Sequence, residues 1–445
     1  MELDYSSSDC GLPSYSSSSP LPSYSCELAR GERLLQHTPR SRPTTQPTSV
    51  FIKKAGKTTI ILNDQEEDAT IPVYGRRGLI SGNLVLEKSE NILDVVLKVE
   101  GKMDATITDG GGNTTKLLAD TYTLWSHTSS QDSTCPSQIP FSVLLPASFK
   151  HKGTSVPLPP TYNVAYYNLP SLFVRCGYQI HIIVSRLRHQ KVGSLWPKTK
   201  HILIPFTYTP RTRAHRPIVP APCFFSSVKT LPEEWYQAVT YLKTRPTCQV
   251  PPISAHLFIP GGRVYGLGDT IPFHVQLSGH TSSLRELFSG AMLDRVMSVD
   301  SQNTQSSTQS TKKSSPKPLL QINILRQTSV CMSASNAWKT AVLAEASMTP
   351  VPPDLMSWYS PDESSQESHI DWEGELRMDS EVTVGGFLAG NVQVKDFICL
   401  TLSPPRSSTQ PFLELQLTVP VRFVSDSFSE APGLEEMSEP SASAV

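Results

Sequence analysis

The 445-residue sequence predicts an all-β fold: two tandem β-sandwich domains with disordered tails at both ends. Three observations carry that prediction. Prolines number 38 against 24 glycines, a balance that favours short strands and stiff connections over long helices. From residue 50 onward, β-prone runs of five to nine residues alternate with turn signals, which is the spacing of a sandwich. A pattern also recurs: Val73-Tyr74-Gly75 precedes Gly78 and Leu84-Val85-Leu86, and Val264-Tyr265-Gly266 precedes Gly268 and Phe273-His274-Val275. Self-similarity of this kind predicts two like units in tandem.

Residues 1–49 hold twelve Ser and six Pro with few large aliphatic side chains. They cannot bury enough apolar surface to offset the entropy of ordering, and a disordered tail is expected. The first sandwich is assigned to 50–210. VFIKKAGKTTIILND gives two strands about the Ala55-Gly56 turn, and LDVVLKVEGKMDATIT alternates imperfectly up to the turn Gly110-Gly111-Gly112. IPFSVLLP, LFVRCGYQIHIIVSRLR and KHILIPFTYTP supply further strands.

A basic hinge with a short helix is assigned to 211–250. Thr230-Leu231-Pro232-Glu233 resembles a helix start, and EEWYQAVTYLK sets Trp235, Ala238, Val239 and Leu242 on one helical face, predicting about three turns. The second sandwich spans 251–425; SSLRELFSGAML adds a helical turn or two, and a low-complexity polar loop interrupts it near 299–318. Residues 426–445 are read as an acidic disordered tail.

The formal net charge is -1, so bulk positive charge does not mark a nucleic-acid binder. Charge is nevertheless segregated. No Asp or Glu occurs from Ser133 to Pro232, a stretch with twelve Lys and Arg, whereas Ser425 to Val445 carries five acids and no base. Arg186, Arg188, Lys191, Arg211, Arg213 and Arg216 are therefore candidates for binding acidic or phosphorylated cargo segments or anionic lipid headgroups. In the competing reading these bases line outward strand faces and pair with acids such as Glu87, Glu90 or those near Asp362 to Asp371.

Eight cysteines without CxxC or paired-His spacing argue against zinc or a disulfide lattice and fit a reducing, intracellular compartment. No basic-apolar leader and no run of about twenty apolar residues appears, so a soluble or peripheral protein is expected. GxSxG, HExxH and P-loop patterns are missing. No catalytic residue, metal or cofactor is assigned, and His181 and His274 are read as packed or strand-edge residues.

IPVYGRRGLISGNLVLEK with VVLKVEGKM, then IPFSVLLPASF and PLPPTYNV, then a basic hinge and a strand set ending GGFLAGNVQVKDFICLTL, resembles the arrestin-like proteins of fungi over roughly residues 50–425. The resemblance implies two immunoglobulin-like, arrestin-like sandwiches, no active site, and work as a cytoplasmic adaptor peripheral at the plasma membrane or endosomes. Such adaptors recruit WW-domain HECT ubiquitin ligases through PPxY or related motifs. Cytosolic parts of transporters or receptors are thereby ubiquitylated and internalised by endocytosis.

A WW domain takes a preformed polyproline II segment in one aromatic groove and a tyrosine in a second pocket. LPSY occurs twice, as Leu12-Pro13-Ser14-Tyr15 and Leu21-Pro22-Ser23-Tyr24. Pro13 or Pro22 would fill the groove, and Tyr15 or Tyr24 the pocket. The literal PPxY, Pro159-Pro160-Thr161-Tyr162, sits inside the first sandwich and ranks second, because its neighbours SVPL and NVAYY suggest a loop anchored between strands, for which structural turn chemistry is the better explanation. An alternative function is a signalling scaffold that binds receptor tails without a ligase.

Overall fold

A computed structural model describes residues 49–127, 134–189, 195–219, 223–288, 319–332, 335–351, 367–404 and 411–428, with backbone alone at 188–189 and 195–196. All of them belong to one compact unit. Both LPSY motifs, residues 1–48 and 429–445 of the expected tails, the 299–318 loop, Lys191 and the Arg188 side chain lie outside the described residues, whereas Ser49 belongs to the first strand and Asp426 bridges to Arg213, so neither is the tail residue expected.

The first sandwich contains β1 (Ser49–Ala55), β2 (Thr58–Gln65), β3 (Val73–Tyr74), β4 (Leu79–Leu86), β5 (Ile92–Ile107), β6 (Gly111–Ser126) and β7 (Gln138–Leu144). A small hairpin follows, β8 (Ser148–His151) with β9 (Thr154–Pro157), and then β10 (Tyr162–Tyr166), β11 (Leu172–His189) and β12 (Leu195–Tyr208). One sheet runs β1-β2-β4-β7 and the other β3-β12-β11-β5-β6, with β10 added beside β11. Alternation dictates the layering: Val95, Leu97 and Val99 of β5 and Ile180, Ile182 and Val184 of β11 all point inward and are buried.

Next along the chain comes α1 (Phe224–Thr230), a two-turn helix packed on the second sandwich, whose Ncap, Cys223, makes no side-chain capping bond. Tertiary packing holds it instead, because seven residues are too few for a helix to persist alone. Phe224 stacks on the His274 ring at 3.8 Å and 8°.

The second sandwich contains β13 (Trp235–Leu242), β14 (Ile253–Pro260), β15 (Val264–Gly266), β16 (Thr270–His280), α2 (Thr281–Leu287), β17 (Leu320–Cys331) and β18 (Asn336–Glu345). It closes with β19 (Ser347–Val351), β20 (Glu367–Arg377), β21 (Phe387–Ala389), β22 (Val392–Leu402) and β23 (Leu415–Val424). Its sheets run β13-β14-β16-β20-β19 and β15-β23-β22-β17-β18, with β21 added beside β22.

Position for position, four strands of the first sheet and all five of the second repeat the order found in the first sandwich. The recurrent Val-Tyr element has the same place in both: β3 pairs parallel to β12, and β15 pairs parallel to β23. Tyr74 and Tyr265 are both buried there.

One expectation is overturned. Trp235–Leu242 is a strand, preceded by a single 3-10 turn at Pro232–Glu234, and not a three-turn helix. Leu242 is fully buried and Ala238 nearly so, while Gln237, Val239 and Tyr241 face outward. A period of two fits this segment, and pairing with β14 over eight residues settles it. The helix of this region lies earlier, at α1, whereas the helical turns expected near residue 281 form α2.

Candidate functional site

Where the sandwiches meet, the apolar core is continuous. Val330, Ala337, Ala389, Val392 and Val394 of the second sandwich join the cluster built around β5 and β11. Within this seam sits an ion pair. Arg326 of β17 and Asp396 of β22 face each other in register, with Nε donating to Oδ1 at 2.8 Å and a terminal nitrogen donating to Oδ2 at 3.1 Å. Both are buried, at 5% and 2% exposure, so each charge depends on the other for its solvation.

Tyr162 and Tyr166 reach this layer from β10. Their hydroxyls lie 3.3 and 3.4 Å from Thr328 Oγ1, and Phe387 meets the Tyr162 ring edge-on at 5.2 Å. Burial raises the Tyr162 pKa, against opposing effects of the Thr328 hydrogen bond and the Arg326 charge. Pro159 and Pro160 are buried, and the Pro159 carbonyl accepts a 2.6 Å hydrogen bond from the Tyr178 hydroxyl. Thr161 is pinned too: its amide donates to the Tyr208 carbonyl at 2.9 Å, and its hydroxyl accepts from the Tyr208 amide at 2.8 Å. Pro159-Pro160-Thr161-Tyr162 thus enters a strand and ties the sandwiches together. A free extended ligand is a different geometry.

A cleft of ≈ 720 Å³ opens beside the seam, lined by Pro157, Tyr208, Phe387, Asp396 and Arg422 among others.

The basic candidates separate. Arg211 forms a forked pair with Asp426, which strengthens its hold on its proton, the hydrogen bond being the largest cause. Thr212 and Ser425 complete the clasp through bonds of 2.8 and 2.9 Å. Arg216 pairs with Glu234 at 2.9 Å. Intrachain carboxylates therefore already neutralise two of the six bases, and neither acid is among those named in the competing reading. Arg213 bridges to Asp426 through its backbone. Arg186, on β11, makes no ion pair among the described residues.

Three hairpin ends converge at one rim of the seam. Thr108, after β5, and Ser171, before β11, exchange backbone and side-chain bonds; Gly110 abuts Ser335, between β17 and β18; Lys339 of β18 donates to the Leu169 carbonyl at 3.4 Å. On the β10–β11 tip Tyr167 is 87% and Leu169 81% exposed, and on neighbouring β18 Trp338 is 64% exposed. No local sequence pattern marks these residues. Arg326 and Asp396, in contrast, carry a local signal: both charges fall on the inward phase of otherwise apolar strands, Ile322-x-Ile324-x-Arg326 and Val392-x-Val394-x-Asp396.

No protein-family profile matches the chain, and no curated protein sequence matches it. The class defined by the fold is an all-β protein of two fused, topologically matched sandwiches.

Proposed function

We propose that the chain is an arrestin-like intracellular adaptor, docking on the cytosolic face of a membrane protein while its N-terminal LPSY motifs recruit a WW-domain HECT ubiquitin ligase. The observation that carries the reading is the exposed apolar tip at the seam. Tyr167 and Leu169 stand nearly free of the protein on a hairpin braced from two sides, by Thr108 bonded to Ser171 and by Lys339 bonded to the Leu169 carbonyl. Large exposed apolar side chains on a supported tip are the anatomy of a docking anchor. The paired sandwiches and the family resemblance support the same reading.

Two experiments separate its parts. The double variant Tyr167→Ser, Leu169→Ser should abolish co-localisation with plasma-membrane or endosomal cargo while leaving the thermal unfolding midpoint unchanged; retained co-localisation would remove the tip from the reading. Tyr15→Ala with Tyr24→Ala should abolish capture by isolated WW domains. If deletion of residues 1–49 left cargo removal intact, the scaffold without a ligase would be the better description.

A further inference from the structure

The outer face of the β3-β12-β11-β5-β6 sheet carries two histidines that approach each other unusually closely. His181 on β11 and His201 on β12 are diagonal neighbours, since Ile183 opposes His201 and Leu203 opposes His181 in the register. Nε2 of His181 and Nδ1 of His201 are 3.0 Å apart, with ring centroids 5.2 Å apart and ring planes inclined by 37°. His201 is exposed and His181 half-buried, so a small solute can reach both nitrogens.

We propose that His181 and His201 form a two-imidazole binding site for a divalent transition-metal ion, best suited to Cu2+ or Ni2+. Metal–imidazole bonds are about 2.0–2.1 Å long. Two such bonds spanning 3.0 Å subtend about 94° at the ion, the cis angle of a tetragonal or octahedral centre. A tetrahedral ion would need the nitrogens about 3.3–3.4 Å apart, which places Zn2+ second.

The protonation states are compatible. Desolvation, then the neighbouring His201 and Lys98, favour neutral His181, against the attraction of Glu100, and a neutral ring presents a lone pair. In the metal-free pair a single proton lies between the two nitrogens. On binding it moves through solvent to the other nitrogen of the same ring, so both facing lone pairs become donors with no net proton lost.

Glu100 adds negative charge on the adjoining strand, its carboxylate held by Gln179 at 2.8 Å. Among the described residues no group of three or more His, Cys, Asp and Glu is placed to hold an ion. Water therefore completes the coordination, and binding is exchangeable. Two strands of a rigid sheet fix both rings, so little ordering is required when the ion arrives.

The test is titration of the full chain with Cu2+ against a glycine competitor, read by calorimetry and by electron paramagnetic resonance. The expected result is one equivalent bound with two equatorial imidazole nitrogens. His181→Ala and His201→Ala should each weaken that binding tenfold or more and each remove one nitrogen from the spectrum, with the unfolding midpoint unchanged. His215→Ala serves as a control and should change neither. A smaller loss in either test variant, an unchanged nitrogen count, or an equal effect of the control overturns the site.

Discussion

At the scale of single residues, the seam carries a charge pair, Arg326 and Asp396, that adjacent strands of the second sandwich hold in an otherwise apolar layer. Arg326 and Asp396 occupy inward positions where their strand neighbours are isoleucine and valine. Removing one partner leaves the other's charge buried without compensation. Asp396→Ala should therefore lower unfolding stability by about 3–5 kcal/mol, measured by urea denaturation. The paired change Arg326→Met with Asp396→Leu removes both charges while keeping volume, and should cost far less. If single and double variants fell equally, packing and not charge would be what the pair supplies. Tyr162, reaching Thr328 from β10 of the other sandwich, behaves as a structural residue by the same logic: its hydroxyl and ring are both engaged.

At the scale of elements, the second sandwich shows what sequence patterns could and could not convey. Strands with a clean period of two were legible, as was the turn at Gly56, whose φ of +54° suits glycine. Trp235–Leu242 was not. Positions 235, 238, 239 and 242 satisfy a helical stripe, yet 236, 238, 240 and 242 satisfy a strand, and eight residues cannot separate the two periods. Its Trp, Tyr, Val and Thr content favours a strand, and the free edge of β14 decides the matter. The seam was illegible for a different reason: Tyr162 and Thr328 meet across 166 residues, and no local pattern encodes such a meeting. The PPTY letters suggested a ligand, whereas their buried prolines and strand pairing belong to the fold.

A second element-level coupling follows from β5 and β11. Tyr178 faces Gly101 across the strands, and a Cβ at Gly101 would come within 2.6 Å of the tyrosine ring. The missing side chain is what lets that ring lie flat and aim its hydroxyl at Pro159. Gly101→Val should displace the ring, break the bond to Pro159, and destabilise by about 1–3 kcal/mol as an overpacked site. Tyr178→Phe keeps the ring and loses only the hydrogen bond, costing about 1 kcal/mol. Comparing the two by thermal unfolding separates ring position from the bond; equal losses would show that the glycine has no such role.

At the scale of the whole molecule, two sandwiches with matching strand order share one continuous seam, and their interiors bury several weak acids in neutral form. Burial lifts the Cys135 thiol to about 11 and the Cys176 thiol to about 12, from an ordinary value of 9.0. Tyr74, Tyr178 and Tyr265 are likewise raised from 10.0, with desolvation the largest cause in each. Each group has a folded pKa above its unfolded one, so the stability it contributes is complete below about pH 9 and lost as pH rises through the folded value. Between pH 9 and 12 the unfolded chain has released protons that the folded chain still holds, and raising the pH draws the equilibrium toward unfolding. The urea midpoint should therefore be flat with respect to these groups from pH 7 to about pH 9 and then fall steadily. Cys176→Val, which keeps a small apolar side chain on β11 and removes the thiol, should reduce the slope of that fall without moving the plateau much. The tyrosines, starting from a higher reference value, should steepen the decline above pH 10. A midpoint that stayed level to pH 11 would mean that these interiors open to water before their acids need to titrate.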